Sequence, residues 1–399
     1  MTASGASAAD ERRLITVDGK TSQAAFVSAA PDGSWTFKTA DSKRNVRVDD
    51  VVVWGAPAEC PVGPVIFLAD GGMIAQSPNE PGQVTPAVRM VQDRLDIERT
   101  VFGPLSLPLE SVRGVMFQPP SERQERDQLA RRITDGRNDD GAPREGDLLI
   151  LQNGDELVGT VESCDGRHVH LASGVGKVRV EVAKLAALRF DPSLVAKPVE
   201  EGLRTIVGLA NGSRVVARPF ACSAEVVQVV PSIFKGKQAA WSAPVESLVF
   251  LQSLGGKVTY LSDLKVESYK HIPYLTLAWP YYADLNATGT QLRAGGRLYA
   301  KGIGMHSASR ITVKLDKPYR RFEAELAIDD STQGRGSVTC RVFVDDHQAF
   351  TSEIIRGGAP PVPIRVELGP ASRLSLIVDF AERADEQDHA DWLNARLVE

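Results

Sequence analysis

Residues 310–315 read RITVKL, 322–328 FEAELAI, 337–344 SVTCRVFV, 364–368 IRVEL and 374–380 LSLIVDF. Each run alternates apolar and polar side chains, the period-two pattern of a strand with one face in a core and the other toward water. Polar turn runs, DDSTQGRG at 329–336 and VDDHQ at 344–348, separate them. Long antiparallel strands with short turns bury their apolar faces by packing two sheets together. Residues 257–399 therefore read as a β-sandwich.

Upstream the strands shorten and a pattern recurs about every fifty to sixty positions. A β-rich run ends in a tight turn and a second strand leaves it: LITVDGK at 14–20, VIFLADGGMIA at 65–75, LLILQNGDELVGTV at 148–161 and TIVGLANGSRVVARP at 205–219. Asp-Gly and Asn-Gly tolerate positive φ and predict two-residue hairpins. Each unit closes on a related phrase: VRVDDVVVWG at 46–55, LPLESVRGVMF at 107–117, VEVAKLAALRF at 180–190 and APVESLVFL at 243–251. Five short strands of this kind close into a small SH3-like or Sm-like barrel, because closure removes exposed edges. An irregular meander built from the same hairpins is the alternative.

The predicted organisation is thus all-β: a flexible start at 1–12, β units at 13–57, 63–118, 146–192 and 203–254, then the sandwich at 257–399. A charged linker with room for a short helix, SERQERDQLARRIT, occupies 119–145. The second unit carries an extra segment at 76–100.

Composition narrows the function classes. A net charge of −5, with 43% apolar and 24% charged residues, is that of soluble globular protein and gives no basic surface for nucleic acid. No run approaches the eighteen apolar residues of a membrane span. The opening MTASGASAADERR lacks the apolar core of a signal peptide. Cys60, Cys164, Cys222 and Cys340 lie far apart without CxxC spacing, so they read as small buried apolar residues rather than zinc ligands.

Several separated segments of the last third agree, in order, with one family: YLSDL at 260–264, KGIGMH at 301–306, FEAELAIDD at 322–330, GRGSV at 334–338, VFVDD at 342–346, RLSLIVD at 373–379 and DHADWLNARL at 388–397. Together they resemble the NPCBM family of carbohydrate-binding modules. The resemblance implies a galactose-binding-like jelly roll, of a kind found attached to glycoside hydrolases. It would recognise galactose-type or other glycans, or a glycoprotein, without catalysis.

The residues make chemical sense beside it. The glycines of KGIGMH allow a close backbone approach, after which His306 emerges at the mouth of the sandwich. There it can bond a sugar hydroxyl or fix a loop through a backbone carbonyl. Asp330 and Arg335 flank a Gly-rich loop and suit hydroxyls that both donate and accept; Asp329 reads as a salt-bridge residue. In YKHIPYLTLAWPYY (269–282), Trp279, Tyr281 and Tyr282 are candidates to stack on the apolar face of a sugar. The same loop could plug one end of the sandwich. His389, before the final strand, joins the candidate sugar site, whereas Trp392 reads as core.

Galactose-binding-like folds often hold a structural calcium, and Asp284, Asn286, Asp391 and Asn394 are the expected oxygen ligands. No pair of facing carboxylates, GxSxG, HExxH or P-loop stands in a fitting context, so catalysis is not expected. Three classes remain: a glycan reader, a cell-envelope interaction protein that has lost sugar binding, and an accessory factor of a hydrolase. The β units would serve as spacer or protein-interaction surface. Glycan recognition argues for a secreted, periplasmic or envelope location with its signal segment missing from this chain.

Overall fold

The computed structural model describes residues 11–77, 88–136, 145–198, 201–218, 220–234 and 240–399. The chain divides into two compact units: Met1–Thr16 with Lys20–Ser253, and Val17–Gly19 with Leu254–Glu399. The flexible start expected at 1–12 lies outside the described residues except for its last two, and Arg12 already begins a strand.

In the first unit, each of the four sequence repeats places its closing strand beside its opening strand. Leu14 pairs with Trp54, Ile66 with Val115 and Leu149 with Leu188, while Arg204–Leu209 pairs with Leu248–Leu254. A single 3₁₀ turn precedes every closing strand: Val48–Asp50, Leu109–Ser111, Val182–Lys184 and Val245–Ser247. These turns are the physical content of the repeated closing phrase.

The hairpins differ from the two-residue form expected. Gly71, Gly154 and Gly212 donate to the carbonyls of Leu68, Leu151 and Leu209, and the ladder resumes one residue later. Only the glycines adopt positive φ, at 84°, 90° and 90°; the preceding Asp or Asn does not. A three-residue loop with its glycine in the left-handed region results. Asp70, Asn153 and Asn211 instead accept a bond from the amide two residues on, at 3.0, 3.1 and 3.0 Å.

The four repeats do not hold separate cores. The closing strands of the second and third pair with each other, Gly114 opposite Arg189, and those of the first and fourth pair likewise, Gly55 opposite Phe250. One apolar cluster accordingly mixes Leu107 and Val115 with Leu149 and Leu171, and another mixes Trp35 and Trp54 with Val207 and Val227. The short helix allowed for in the charged linker forms at Arg123–Thr134, but it packs on the protein rather than standing in solvent. Its Leu129 and Ile133 are buried among Met116, Leu148 and Ala187. All four cysteines are buried and unpaired, and burial pushes the Cys60 and Cys222 thiols up to about 11.

The second unit is a sandwich of two antiparallel sheets. One runs Tyr282–Ala283, Gly302–His306, His389–Val398, Arg321–Ile328, Val362–Glu367, with Val258–Tyr260 beside His389–Val398. The other runs Val266–His271, Ser309–Lys314, Arg373–Phe380, Ser337–Val344, His347–Thr351, with Ile355–Arg356 against Ser337–Val344. Ile311, Val313, Cys340, Leu376 and Val378 from one sheet meet Met305, Phe322, Leu326, Ile328 and Trp392 from the other. Arg321–Ile328 is buried on both faces, unlike the half-buried strand expected: Glu323 accepts from Arg321 and Arg396, each at 2.5 Å, within the protein. Among the described residues no helix is long and apolar enough to cross a membrane.

Two glycines permit the pairwise fusion of repeats. A Cβ on Gly55 would stand 2.0 Å from the Val249 carbonyl, and one on Gly114 would stand 2.2 Å from that of Leu188. Gly71 also has positive φ but faces open space. Gly55→Ala is therefore expected to lower stability by about 2 kcal/mol or more in urea unfolding, and Gly71→Ala by only about 1 kcal/mol. Equal losses would deny the close approach its role.

Candidate functional site

One end of the sandwich gathers three histidines and a tryptophan. His306 ends its strand directly opposite His389, and His271 ends its own strand opposite Ser309. Left-handed Ala308, just after His306, turns the chain between the two sheets; its carbonyl accepts the Ile272 amide. Gln333, Arg383, Ala384 and Gln387, also left-handed, shape the other loops at this end. Strain of this kind in non-glycine residues commonly collects at functional sites.

Trp279 reaches this cluster from the aromatic loop. Its indole lies flat on the His306 imidazole, with centroids 4.5 Å apart and planes 5° from parallel, and it stands 5.4 Å from His389. His306 also contacts His271 at 5.9 Å and His389 at 5.7 Å. The loop is pinned by its backbone: Trp279 N–H donates to His271 Nδ1 at 3.2 Å, and Tyr269 Oη–H donates to the Trp279 carbonyl at 2.7 Å. Trp279 thus closes over His306 while staying partly exposed itself.

Burial sets the protonation states. It pulls His306 down to about 4, with His389 adding to the shift and Asp385 opposing it. Burial lowers His271 and His389 as well, opposed by Asp385 and Asp329 respectively. At neutral pH all three rings are uncharged, each with one donor and one acceptor nitrogen. His306 and His389 are 3% and 6% exposed, and the Nδ1 of each lacks a hydrogen-bond partner among the described residues.

The other expected sugar residues scatter. Tyr281 meets Tyr269 at a tilt, with ring centroids 5.0 Å apart and planes at 53°, and packs against the core, where it braces the loop. Tyr282 begins a strand opposite Gly304, two residues before His306 on the neighbouring strand. Asp330 does not pair with Arg335: both of its oxygens accept backbone amides, from Gly295 at 3.0 Å and Gly296 at 2.8 Å. Asp329 forms no salt bridge with Arg335 either. It is buried and accepts from Asn286 Nδ2, Arg293 N and Ser331 N, each at 2.9 Å. Arg335 is exposed in the loop at the histidine end and donates from Nε to the Thr332 carbonyl at 3.3 Å. His271 and Asp385 belong to the cluster but were not singled out in the sequence; only their shared loop end, invisible before folding, connects them.

The four expected calcium ligands do not fit a cage. Asp284 is held by the Lys301 ammonium at 2.8 Å and the Gly302 amide at 3.1 Å. Burial pulls that ammonium down, yet Asp284 and Asp263 outweigh it and hold Lys301 charged. Asn286 spends its amide on Thr288, Thr290 and Asp329. Asn394 sits at a left-handed bulge and donates to Glu325. Asp391 is fully buried near Asp329, and burial followed by that like charge drives its carboxyl well above the usual range, into the neutral form. Among the described residues no group of three or more His, Cys, Asp or Glu could hold a metal ion.

A carboxyl whose folded pKa is raised binds its proton more tightly in the folded state, so stability falls as pH rises above the unfolded value. Asp391→Asn removes this term. The variant should match the parent near pH 4 and exceed it by about 1 kcal/mol or more at pH 8 in denaturant unfolding. A deficit at pH 8 would mean that Asp391 acts as a charged group.

The NPCBM/NEW2 domain matches residues 257–398. Over 110 residues the chain is 32% identical to a protein of Renibacterium salmoninarum provisionally named endo-alpha-N-acetylgalactosaminidase, covering 28% of this chain and 7% of that one. It is 32% identical over 115 residues to Alpha-1,3-galactosidase B of Akkermansia muciniphila, covering 28% and 14%. The chain thus spans a small part of the curated relatives it matches. Among solved structures, CBM51-2 with GlcNAc and INT domains from Clostridium perfringens ZmpB is 26% identical, at a TM-score of 0.33, over 43% of this chain and 36% of that one. CBM51 from Clostridium perfringens GH95 in complex with methyl-galactose is 23% identical, at a TM-score of 0.32, over 35% and 99%. Residues 257–398 of this chain are an NPCBM/NEW2 domain.

Proposed function

We propose that the sandwich is a non-catalytic glycan reader whose platform is Trp279. The observation that carries this is the indole laid on the neutral His306 ring, partly exposed, at a loop-built end of the domain. A galactose-type sugar has an apolar C–H face for the indole and hydroxyls for neutral imidazoles and the exposed Arg335. The relatives named for galactosidase and N-acetylgalactosaminidase activity support galactose or N-acetylgalactosamine as the first sugars to try.

We read the module as a targeting device rather than an enzyme. The carboxylates near the site serve the fold: Asp329 and Asp330 accept backbone amides, Asp388 accepts the Ser337 amide through one oxygen at 2.8 Å, and Asp391 is fully buried. General acid–base work on a glycoside needs two carboxyls free to face the bond. The β units would carry the module or bind a protein partner, and a glycan ligand favours action outside the cytoplasm or at the envelope.

Titration calorimetry with galactose and N-acetylgalactosamine, free and as terminal residues of oligosaccharides, tests this. Trp279→Ala is expected to weaken binding at least about tenfold and Trp279→Phe less, in line with about 1 kcal/mol or more for a stacked ring. Uncovering His306 in Trp279→Ala should also raise its pKa from about 4 toward the ordinary imidazole range, read by NMR. Unchanged affinity in Trp279→Ala would exclude the platform.

A further inference from the structure

The aromatic loop borders a second concavity, on the outer face of the sheet that contains Val266–His271. It is a groove of about 480 Å³ lined by Lys270, Ile272, Tyr274, Arg310, Asp379 and Phe380, among others. Tyr274 and Phe380 meet edge to face at 6.4 Å, yet they are 59% and 49% exposed. Two open aromatic rings across a groove are unusual on a surface without a ligand to cover them.

The charges of this face are also unbalanced. Lys270 pairs in register with Arg310, Arg310 with Ile377, and Ile377 with Arg341. Register partners share a face of a sheet, so three cations stand in one row. Their neighbour Asp379 is taken by Arg341, with N–O distances of 2.6 and 2.7 Å. Arg310 donates to Ser375 Oγ at 3.1 Å and lies over the Phe343 ring. Among the described residues neither Lys270 nor Arg310 forms an ion pair with a carboxylate. Like charges directly opposite across a sheet destabilise it, and an anion between them removes the penalty.

We propose that this groove is a subsite for an acidic sugar residue, carboxylated or sulfated, joined to the neutral sugar on Trp279. The inference rests on the Trp279 reading and deepens it to a class of glycan. Aromatic walls take the apolar face of a pyranose, and the Lys270–Arg310 pair takes its acidic group through charge-assisted bonds. The two sites share one loop. His271, which follows Lys270, bonds the Trp279 amide and touches His306, and Ile272 and Tyr274 belong to the loop that carries Trp279. Sugar, rather than an acidic peptide, is favoured by this shared loop.

The test is calorimetry of the full chain with N-acetyllactosamine, its 3-O-sialylated form and its 3-O-sulfated form. At low salt at least one acidic form should bind about tenfold tighter than the neutral one, with the gain shrinking in 0.5 M salt. Which acidic form gains identifies the source of the anion. Lys270→Gln with Arg310→Gln, surface changes that keep aliphatic stems, should abolish the gain and leave neutral affinity intact, while Trp279→Ala should weaken all three. Equal affinity for the three glycans, or a gain that survives the double variant, overturns the subsite alone. Competition by polyglutamate as strong as by the acidic glycan overturns it too, since charge alone would then suffice. If none of the three binds, nor any galactose or N-acetylgalactosamine ligand, the Trp279 reading falls and the subsite with it.

Discussion

The flat contact between Trp279 and His306 organises the end of the sandwich. An imidazole under an indole is shielded from water, which disfavours its charged form and leaves a neutral ring able to stack. That contact in turn needs the loop held in place, and backbone bonds from Tyr269 and to His271 do so. Removing the indole would therefore change the protonation, exposure and loop geometry of the site together. A binding surface built this way is preorganised, because the ring is already placed before a ligand arrives.

Beneath the site the sandwich uses backbone bonds where side-chain pairing would be the simple guess. Asp329 and Asp330 bind amides of neighbouring turns, Asp388 binds the Ser337 amide, and Lys301 rather than a metal answers Asp284. Each buried carboxylate stabilises loop geometry by satisfying donors that would otherwise be stranded. The acidic motifs of the domain are thus mainly structural, and the proposed recognition rests on aromatic, imidazole and cationic groups.

Much of this was legible in the sequence. The alternating runs located the long sandwich strands to within about two residues, as period two with buried faces should allow. The repeated closing phrases marked real strand returns. What the repeats concealed was long-range: Gly55 meeting Phe250, and Gly114 meeting Arg189, are pairings between distant segments that no local pattern encodes. The hairpin glycines were visible but their loop type was not, since a left-handed glycine serves both two- and three-residue turns. Trp279 stood out as an aromatic in a loop, while Tyr281 beside it looked equivalent until its contact with Tyr269 and the core turned it inward. The salt bridge expected at Asp329 is replaced by bonds from Asn286 and from the amides of Arg293 and Ser331, because backbone amides, which every sequence offers everywhere, reach the carboxylate instead.

The most direct test follows the indole itself. The chain has five tryptophans, and Trp35, Trp54 and Trp392 are no more than 1% exposed. Indole ¹H–¹⁵N resonances recorded during titration with a galactose-terminated glycan should show Trp279 moving in a saturable way, with the three buried indoles still. A glycan that binds measurably while the Trp279 resonance stays fixed would contradict the account, because the ligand would then be held somewhere other than on that ring.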